Sequence, residues 1–259
     1  MFKLIWLFFR VGAMNELQYR VNFFLQVFRS LVALGTGLIG LALVFSHTTT
    51  LAGWSRPELL VVMGVYTMMG GLINATIQPN MQQLLNDVQQ GTLDYILTKP
   101  VDAQLQVSVR QIHIWSATDI LLGLSVLFVA SFQLQSRVGL LQALAFAALL
   151  VMGGLMIYSF WLIMTTGAFW VIHMENILEL FQGAYQAGRW PITIYPNWLQ
   201  AGLTFLVPVA FAVTVPAEAL TGRLTIATLL EALALTMVLL LFSRWFWKVG
   251  LRYYSGASA

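Results

Sequence analysis

Glu175, Glu179, Gln182 and Gln186 recur at steps of four, three and four residues within an apolar stretch. That spacing sets them along one face of a helix. Ionisable groups inside a membrane are costly. Such a stripe therefore either lines a substrate path or gate, or sits at the membrane edge where the glutamates reach water. Gly183 with Ala187, and Ala184 with Gly188, add small-xxx-small spacings that permit close helix approach. In an earlier apolar run Asn22, Gln26 and Arg29 fall at i, i+4 and i+7. Arg29 lies roughly 12 Å into that span at about 1.5 Å per residue. Asp119 stands at a comparable depth in a later span. Arg29 is expected either to pair with Asp119 or Glu179, since each charge alone is expensive, or to snorkel to the headgroups.

Other chemistries find no support. The only lysines are Lys3, Lys99 and Lys248, preceded by Phe2, Thr98 and Trp247. A phosphate-binding loop needs glycine before its lysine, so this chain does not hydrolyse ATP by that route. The histidines His47, His113 and His173 are scattered, and His173-Met174-Glu175 lacks a second histidine, so no metal site is expected. No Gly-x-Ser-x-Gly elbow occurs. With no cysteine, disulfides and thiolate metal sites are excluded.

The longest polar island runs from Gln82 to Val101. It cannot sit unsatisfied in hydrocarbon, so it faces water or another protein. Within it Met81, Leu84, Leu85 and Val88 fall on one helical face, with Gln82, Gln83, Asn86, Asp87 and Gln89 opposite. Gly91 suits a helix stop, and Leu97-Thr98-Lys99-Pro100 ends a second short turn. Such an amphipathic helix either offers its apolar anchors to a groove on a partner or packs beneath its own bundle.

These groups must be positioned by helices in lipid. The chain has 259 residues, of which 59% are hydrophobic and only 9% charged. A soluble domain carries roughly 25% charged residues. Spans of about 20 apolar residues are predicted at Val21 to Phe45, Pro57 to Ile77, Ile112 to Phe132, Leu140 to Thr165 and Ile226 to Trp247. A more polar fifth span, Ala168 to Ala187, would bring the total to six. Pro57 suits a first helical position. The apolar but proline-broken stretch between Pro191 and Leu220 is expected to form re-entrant or interfacial helices within a segment 189–224. Met1 to Arg20 mixes Trp6 and several phenylalanines with Lys3 and Arg10, which fits an interfacial helix. The Trp and Tyr residues fall mostly at the span ends, as anchoring belts do. The fold class is thus an all-α integral membrane protein, one transmembrane domain over 1–259.

Six spans put both ends on one side, together with Lys3, Arg10, Arg20, Lys99, Arg110, Arg244, Lys248 and Arg252. The other side keeps Arg56, Arg137, Arg189 and Arg223. The excess places both termini and the loop 78–105 in the cytoplasm.

The loop Gly91-Thr92-Leu93-Asp94-Tyr95-Ile96-Leu97-Thr98-Lys99-Pro100-Val101, after an interfacial helix and two spans, resembles that of ABC-type export permeases of the second, "type V" class. The tail Arg252-Tyr253-Tyr254-Ser255-Gly256-Ala257-Ser258 resembles one bacterial branch of that class. So does Trp190-Pro191…Tyr195-Pro196-Asn197-Trp198-Leu199 followed by Val207-Pro208 and Val215-Pro216-Ala217-Glu218-Ala219-Leu220. The resemblance covers essentially the whole chain. It implies a six-helix half-transporter that pairs with a second copy or a related chain around a translocation path. It also implies re-entrant helices after the fifth span, and separate ABC ATPase subunits, two in number, docked on the cytoplasmic loops with Mg-ATP bound to them. This branch includes exporters of drugs and other amphipathic compounds, placed in the bacterial plasma membrane. The fifth span is more acidic than that of a generic member. The resemblance makes docking the better reading of the loop, with Leu84, Leu85, Asp87, Val88, Gly91, Thr92, Leu93, Asp94, Lys99 and Pro100 as its coupling residues. Arg29, Asp119, Glu175, Glu179, Gln182 and Gln186 are the candidates for the path or for buried polar contacts. No cofactor is expected in this chain, and no nucleic acid as partner. The rival reading is an ion- or proton-coupled carrier using Glu175, Glu179 and Asp119, although such carriers usually show two broken-helix repeats and only one broken region is found here. An intramembrane enzyme acting on lipid would need a convergent polar cluster.

Overall fold

A computed structural model describes residues 20–134, 138–170 and 177–254, together with Met14. The interfacial helix expected over 1–20, Arg137, Glu175 and the end of the tail therefore fall outside the described residues, save for Met14 and Arg20.

Long apolar runs leave helices as the only economical way to satisfy the backbone in lipid. Helix α1 spans Arg20–His47. Helix α2, Arg56–Leu72, opens with Pro57 in its first turn and with Glu58 reaching back to accept from Ser55 N and Oγ at 2.7 and 2.8 Å. It does not stop where the apolar run stops. A single π-helical stretch, Ile73–Ile77, carries it into α3, Gln78–Gln89, as one unbroken helix of 34 residues. The second span and the amphipathic loop helix are thus one element. Gly91, at φ +69°, then ends it in the left-handed conformation that glycine adopts freely. Short helices α4 (Asp94–Leu97) and α5 (Ala103–Val109) complete the loop, and the Asp102 side chain caps α5 by accepting from Leu105 N. A 3₁₀ turn, Ile114–Ser116, leads into α6, Ala117–Gln133, and α7 follows as Leu140–Gly167.

The expected fifth span is not one helix from Ala168. Residues 168–170 form a turn after α7, and the described helix, α8, is Ile177–Ala187 with 11 residues. Beyond it α9 (Asn197–Ala201) runs on through a π turn, Gly202–Leu206, and another π turn, Ala210–Thr214, feeds α10 (Val215–Thr221). The two limbs meet at 78° around Val207-Pro208, so the proline-broken stretch bends sharply within the bundle. Helix α11, Ile226–Tyr253, starts at Thr225, whose hydroxyl accepts from Thr228 N, and is longer than the expected Ile226 to Trp247. Among the described residues five helices are long and apolar enough to cross a membrane, six if the bent pair counts as one. The protein is all-α and membrane-embedded.

The burial pattern ranks the helices. In the most apolar window of the α2–α3 helix 61% of residues are buried, against 17–22% for the other four. The α2–α3 helix is therefore the hub, and the others turn most of their surface to lipid. Close approach is bought by glycine. A Cβ on Gly123 of α6 would lie 2.5 Å from the Met68 N of α2, and one on Gly153 of α7 would lie 2.7 Å from the Ala212 Cα. Trp54, Trp161 and Trp247 are the largest fully buried side chains. At the end away from the loop, Arg223 binds both Glu58 oxygens, lies 4.7 Å over the Trp54 ring and donates to Gly53 O, joining the α1–α2 turn to the end of α10.

Candidate functional site

The loop is a folded knot, not a free arm. Asp87, 5% exposed, is its centre. Its carboxylate accepts from Gln83 Nε2 at 2.8 Å, Thr92 Oγ1 at 3.1 Å and Arg110 Nη1 at 2.7 Å. Its carbonyl accepts from Thr92 N and Leu93 N. One residue thereby ties α3 to the Gly91 turn and to the end of α5. The return segment is stitched to the π stretch. Asn80 Oδ1 accepts from Gln111 N at 2.8 Å, Asn80 Nδ2 donates to Gln111 O and Thr76 O, and His113 N donates to Ala75 O at 2.9 Å. On the other flank Arg244 of α11 pairs with Asp102 and donates to Gln104 Oε1, while Ser108 bonds Tyr158 Oη of α7. The Arg244 guanidinium holds the Asp102 carboxyl below its ordinary range.

This packing corrects the expected anchors. Leu84, Leu85 and Leu93 are 1%, 5% and 0% exposed, inside the protein's own core, and Val88 is half-buried. An amphipathic face covered by its own bundle has nothing left to offer a partner. The side chains that do face outward are Tyr95 at 75% and Leu97 at 38%, with Gln90, Thr98, Lys99 and Pro100 around them. Asp94 and Gly91 are half-buried beneath this tip. Tyr95 and Leu97 carried a usable signal, two large apolar residues off the face set by Leu84 and Leu85. The Asn80–Gln111 clamp carried none, because its partners lie 31 residues apart.

Within the bundle, α1, α2, α6 and α8 line a cavity of about 250 Å³ that is open where Gln182 and Gln186 are exposed. Asp119, Gln182 and Gln186 line it together with Asn74, Gln78 and Arg189, which the sequence did not single out. The Tyr66 and Tyr185 rings stack in its wall at 4.9 Å, and Tyr185 Oη donates to Tyr66 O at 2.8 Å. A neighbouring cavity of about 250 Å³ shares Asn74, Gln78 and Gln182 and extends toward the loop past Gln82 and His113. Asn74 and Gln78 flank or sit in the π stretch, so the same irregular turn that the loop clamps also shapes the cavity. π turns concentrate at functional sites for this reason.

Two candidates stand elsewhere. Arg29 is exposed on α1, and among the described residues it makes no ion pair with Asp119 or Glu179. Asp119 accepts instead from Gln26 Nε2 at 3.2 Å, one turn before Arg29 on α1. Glu179 lies exposed on α8 and does not line the cavity. Glu175 lies outside the described residues. Among the described residues no three His, Asp or Glu side chains converge as a metal would need.

No curated protein and no solved structure matches this chain. A family model, that of the ABC-2 family transporter protein, matches residues 31–258, which takes in every described helix in full or, for α1, in its greater part. A polar-lined cavity in a helical bundle, joined by one helix to a folded loop, is what a gated membrane passage requires, and the chain belongs to the ABC-2 family of transporter proteins.

Proposed function

We propose that the chain is the permease subunit of an ATP-driven exporter that moves an amphipathic or apolar compound across a bacterial plasma membrane. The carrying observation is the unbroken helix Arg56–Gln89. Its middle lines the cavity through Asn74 and Gln78, and its end is locked into the loop through Asp87. An element touched at one end by a partner and at the other by the path can couple the two. The chain carries no phosphate-binding loop, so the power comes from separate ABC ATPase subunits with their Mg-ATP. They seat on the Tyr95–Pro100 tip, where large apolar side chains stand exposed in a polar surround. Both termini and the loop face the cytoplasm, on the Lys and Arg bias.

The exposed face of α8 supports a second permease chain, a copy or a relative. Glu179, Gln182 and Gln186 are exposed, and the space around Gly183 is open. A polar helix face at membrane depth needs protein or water over it. Two such chains would carry two ATPase subunits. Of the described residues that the ion-driven rival would use, Asp119 lines the cavity and Glu179 does not.

The test is co-purification. The chain is expressed with ATPase subunits encoded beside it, as wild type, as the Tyr95→Asp/Leu97→Asp double variant, and as Thr49→Asp at the opposite end. The ATPase should follow wild type and Thr49→Asp and be lost with the double variant. A folded wild-type chain that captures no ATPase would overturn the reading.

A further inference from the structure

We propose that the cavity between α1, α2, α6 and α8 takes an amphipathic organic monocation, its ammonium group held by Asp119 and its apolar body laid on the Tyr66, Tyr185 and Phe181 rings. This names the substrate class of the exporter proposed above, and rests on that reading for the cavity being on the transport path.

The starting point is an unbalanced charge. Asp119 lies in the first turn of α6, half-buried, and its carboxylate accepts from Gln26 Nε2. Among the described residues no Lys, Arg or His stands within 4.0 Å of it. A carboxylate has about four acceptor sites, and the Gln26 amide with the neighbouring Ser30 hydroxyl fills about two of them, leaving room for a further donor. Such a group inside a membrane protein is costly until a cation joins it. An ammonium ligand supplies both charge and donors.

The wall beside it suits the rest of such a molecule. Tyr66 and Tyr185 stack at 4.9 Å, Phe181 follows at 5.9 Å from Tyr185, and all three line the cavity. Ring faces attract cations and cover apolar groups. The approach is neutral. The cavity toward the loop is lined by Gln26, Gln78, Gln82, His113, Ser116 and Gln182 among others, with no Lys, Arg, Asp or Glu among the described residues. Gln26 belongs to that lining and also bonds Asp119, so the carboxylate stands where the two cavities meet.

Arg189 limits the ligand to one positive charge. Among the described residues it is the sole Lys or Arg of the lining, and its guanidinium lies 5.8 Å over the Tyr66 ring. Asp119 packs against Gly71, where a Cβ would sit 2.9 Å from its own Cβ. Tyr66 and Gly71 are five residues apart on α2, about 7.5 Å of helix. A second cationic centre at that distance from the first would meet Arg189.

The probe is benzylammonium, the protonated form of benzylamine, with benzylsulfonate as a similar-sized anion. Binding to the full chain in nanodiscs of zwitterionic lipid is read by equilibrium dialysis. The cation should bind and the anion should not. Asp119→Asn should weaken cation binding roughly tenfold or more, Asp119→Glu should retain it, and Arg189→Gln should strengthen it severalfold. Arg189→Gln keeps the test sharp if Asp119→Asn does not fold. Equal binding of cation and anion, no binding of either, or an Arg189→Gln variant that binds the cation no better than wild type would overturn the site. So would Asp119→Asn binding as wild type does, the outcome if a proton is the group's only partner. The assay needs no ATPase. Cation binding without a captured ATPase would sink the exporter reading alone, and ATP-driven transport without cation binding would sink this site alone.

Discussion

Asp87 shows how one side chain can set the shape of a whole loop, the one proposed above to dock the ATPase. Its three side-chain donors come from α3, the Gly91 turn and the end of α5. Asp87→Ala leaves Arg110 without its anion and two polar groups without an acceptor. It should cost about 2–3 kcal/mol, read as a lowered Tm of the purified chain. Asp102 works at a second, weaker tie. The Arg244 guanidinium, with the Leu105 N–H, lowers its carboxyl from an ordinary value of 3.8. A group with a depressed folded value contributes stability above its ordinary value and loses it as pH falls through the lowered one. Asp102→Asn should therefore lower Tm at neutral pH, and the gap should close as pH drops below 3.8. The two side chains are 38% and 40% exposed, so the gap stays under about 1 kcal/mol.

Among the elements, α2 with its π stretch and α3 is the one that joins the loop to the cavity. The five residues Ile73–Ile77 hold the helix in a wider register, clamped by the Asn80–Gln111 and His113–Ala75 bonds. Deleting Thr76 would return the stretch to α-helical register and remove the wide turn that the loop clamps. ATPase hydrolysis should then run without transport in proteoliposomes, and intact coupling would refute the hinge role. The contact of α6 with α2 tolerates no side chain at Gly123, where a Cβ would meet the Met68 N at 2.5 Å. Gly123→Val should lower stability by about 2–3 kcal/mol by thermal unfolding. Gly183→Val on α8 meets open space and should change it by under about 0.5 kcal/mol, while weakening pairing with a second permease chain.

Across the whole molecule, the parts legible in the sequence are those that lipid dictates. Runs of about 20 apolar residues have one economical fold, and α1, α6, α7 and α11 lie within a few residues of the expected spans for the first three, with α11 extending six residues past its expected end. The fusion of α2 to α3 was hidden because Asn74, Thr76 and Gln78 make a hydropathy profile end where the helix does not. The loop was legible as a folded amphipathic element but not in its facing. Periodicity says that Leu84 and Leu85 are covered, and only packing says that their own bundle covers them. The cavity was half legible. Gln182, Gln186 and Asp119 stand out as polar groups in spans, but the Gln26–Asp119 bond joins residues 93 apart and no local pattern announces it. The most direct test uses the absence of cysteine from the chain, which makes any introduced thiol unique. Tyr95→Cys and Thr49→Cys variants are co-expressed with the neighbouring ATPase, labelled in isolated membranes with a maleimide–benzophenone reagent and irradiated. Tyr95→Cys should cross-link to the ATPase and Thr49→Cys should not. A tip thiol that never reaches the ATPase, in a complex that still hydrolyses ATP and transports, would contradict the account.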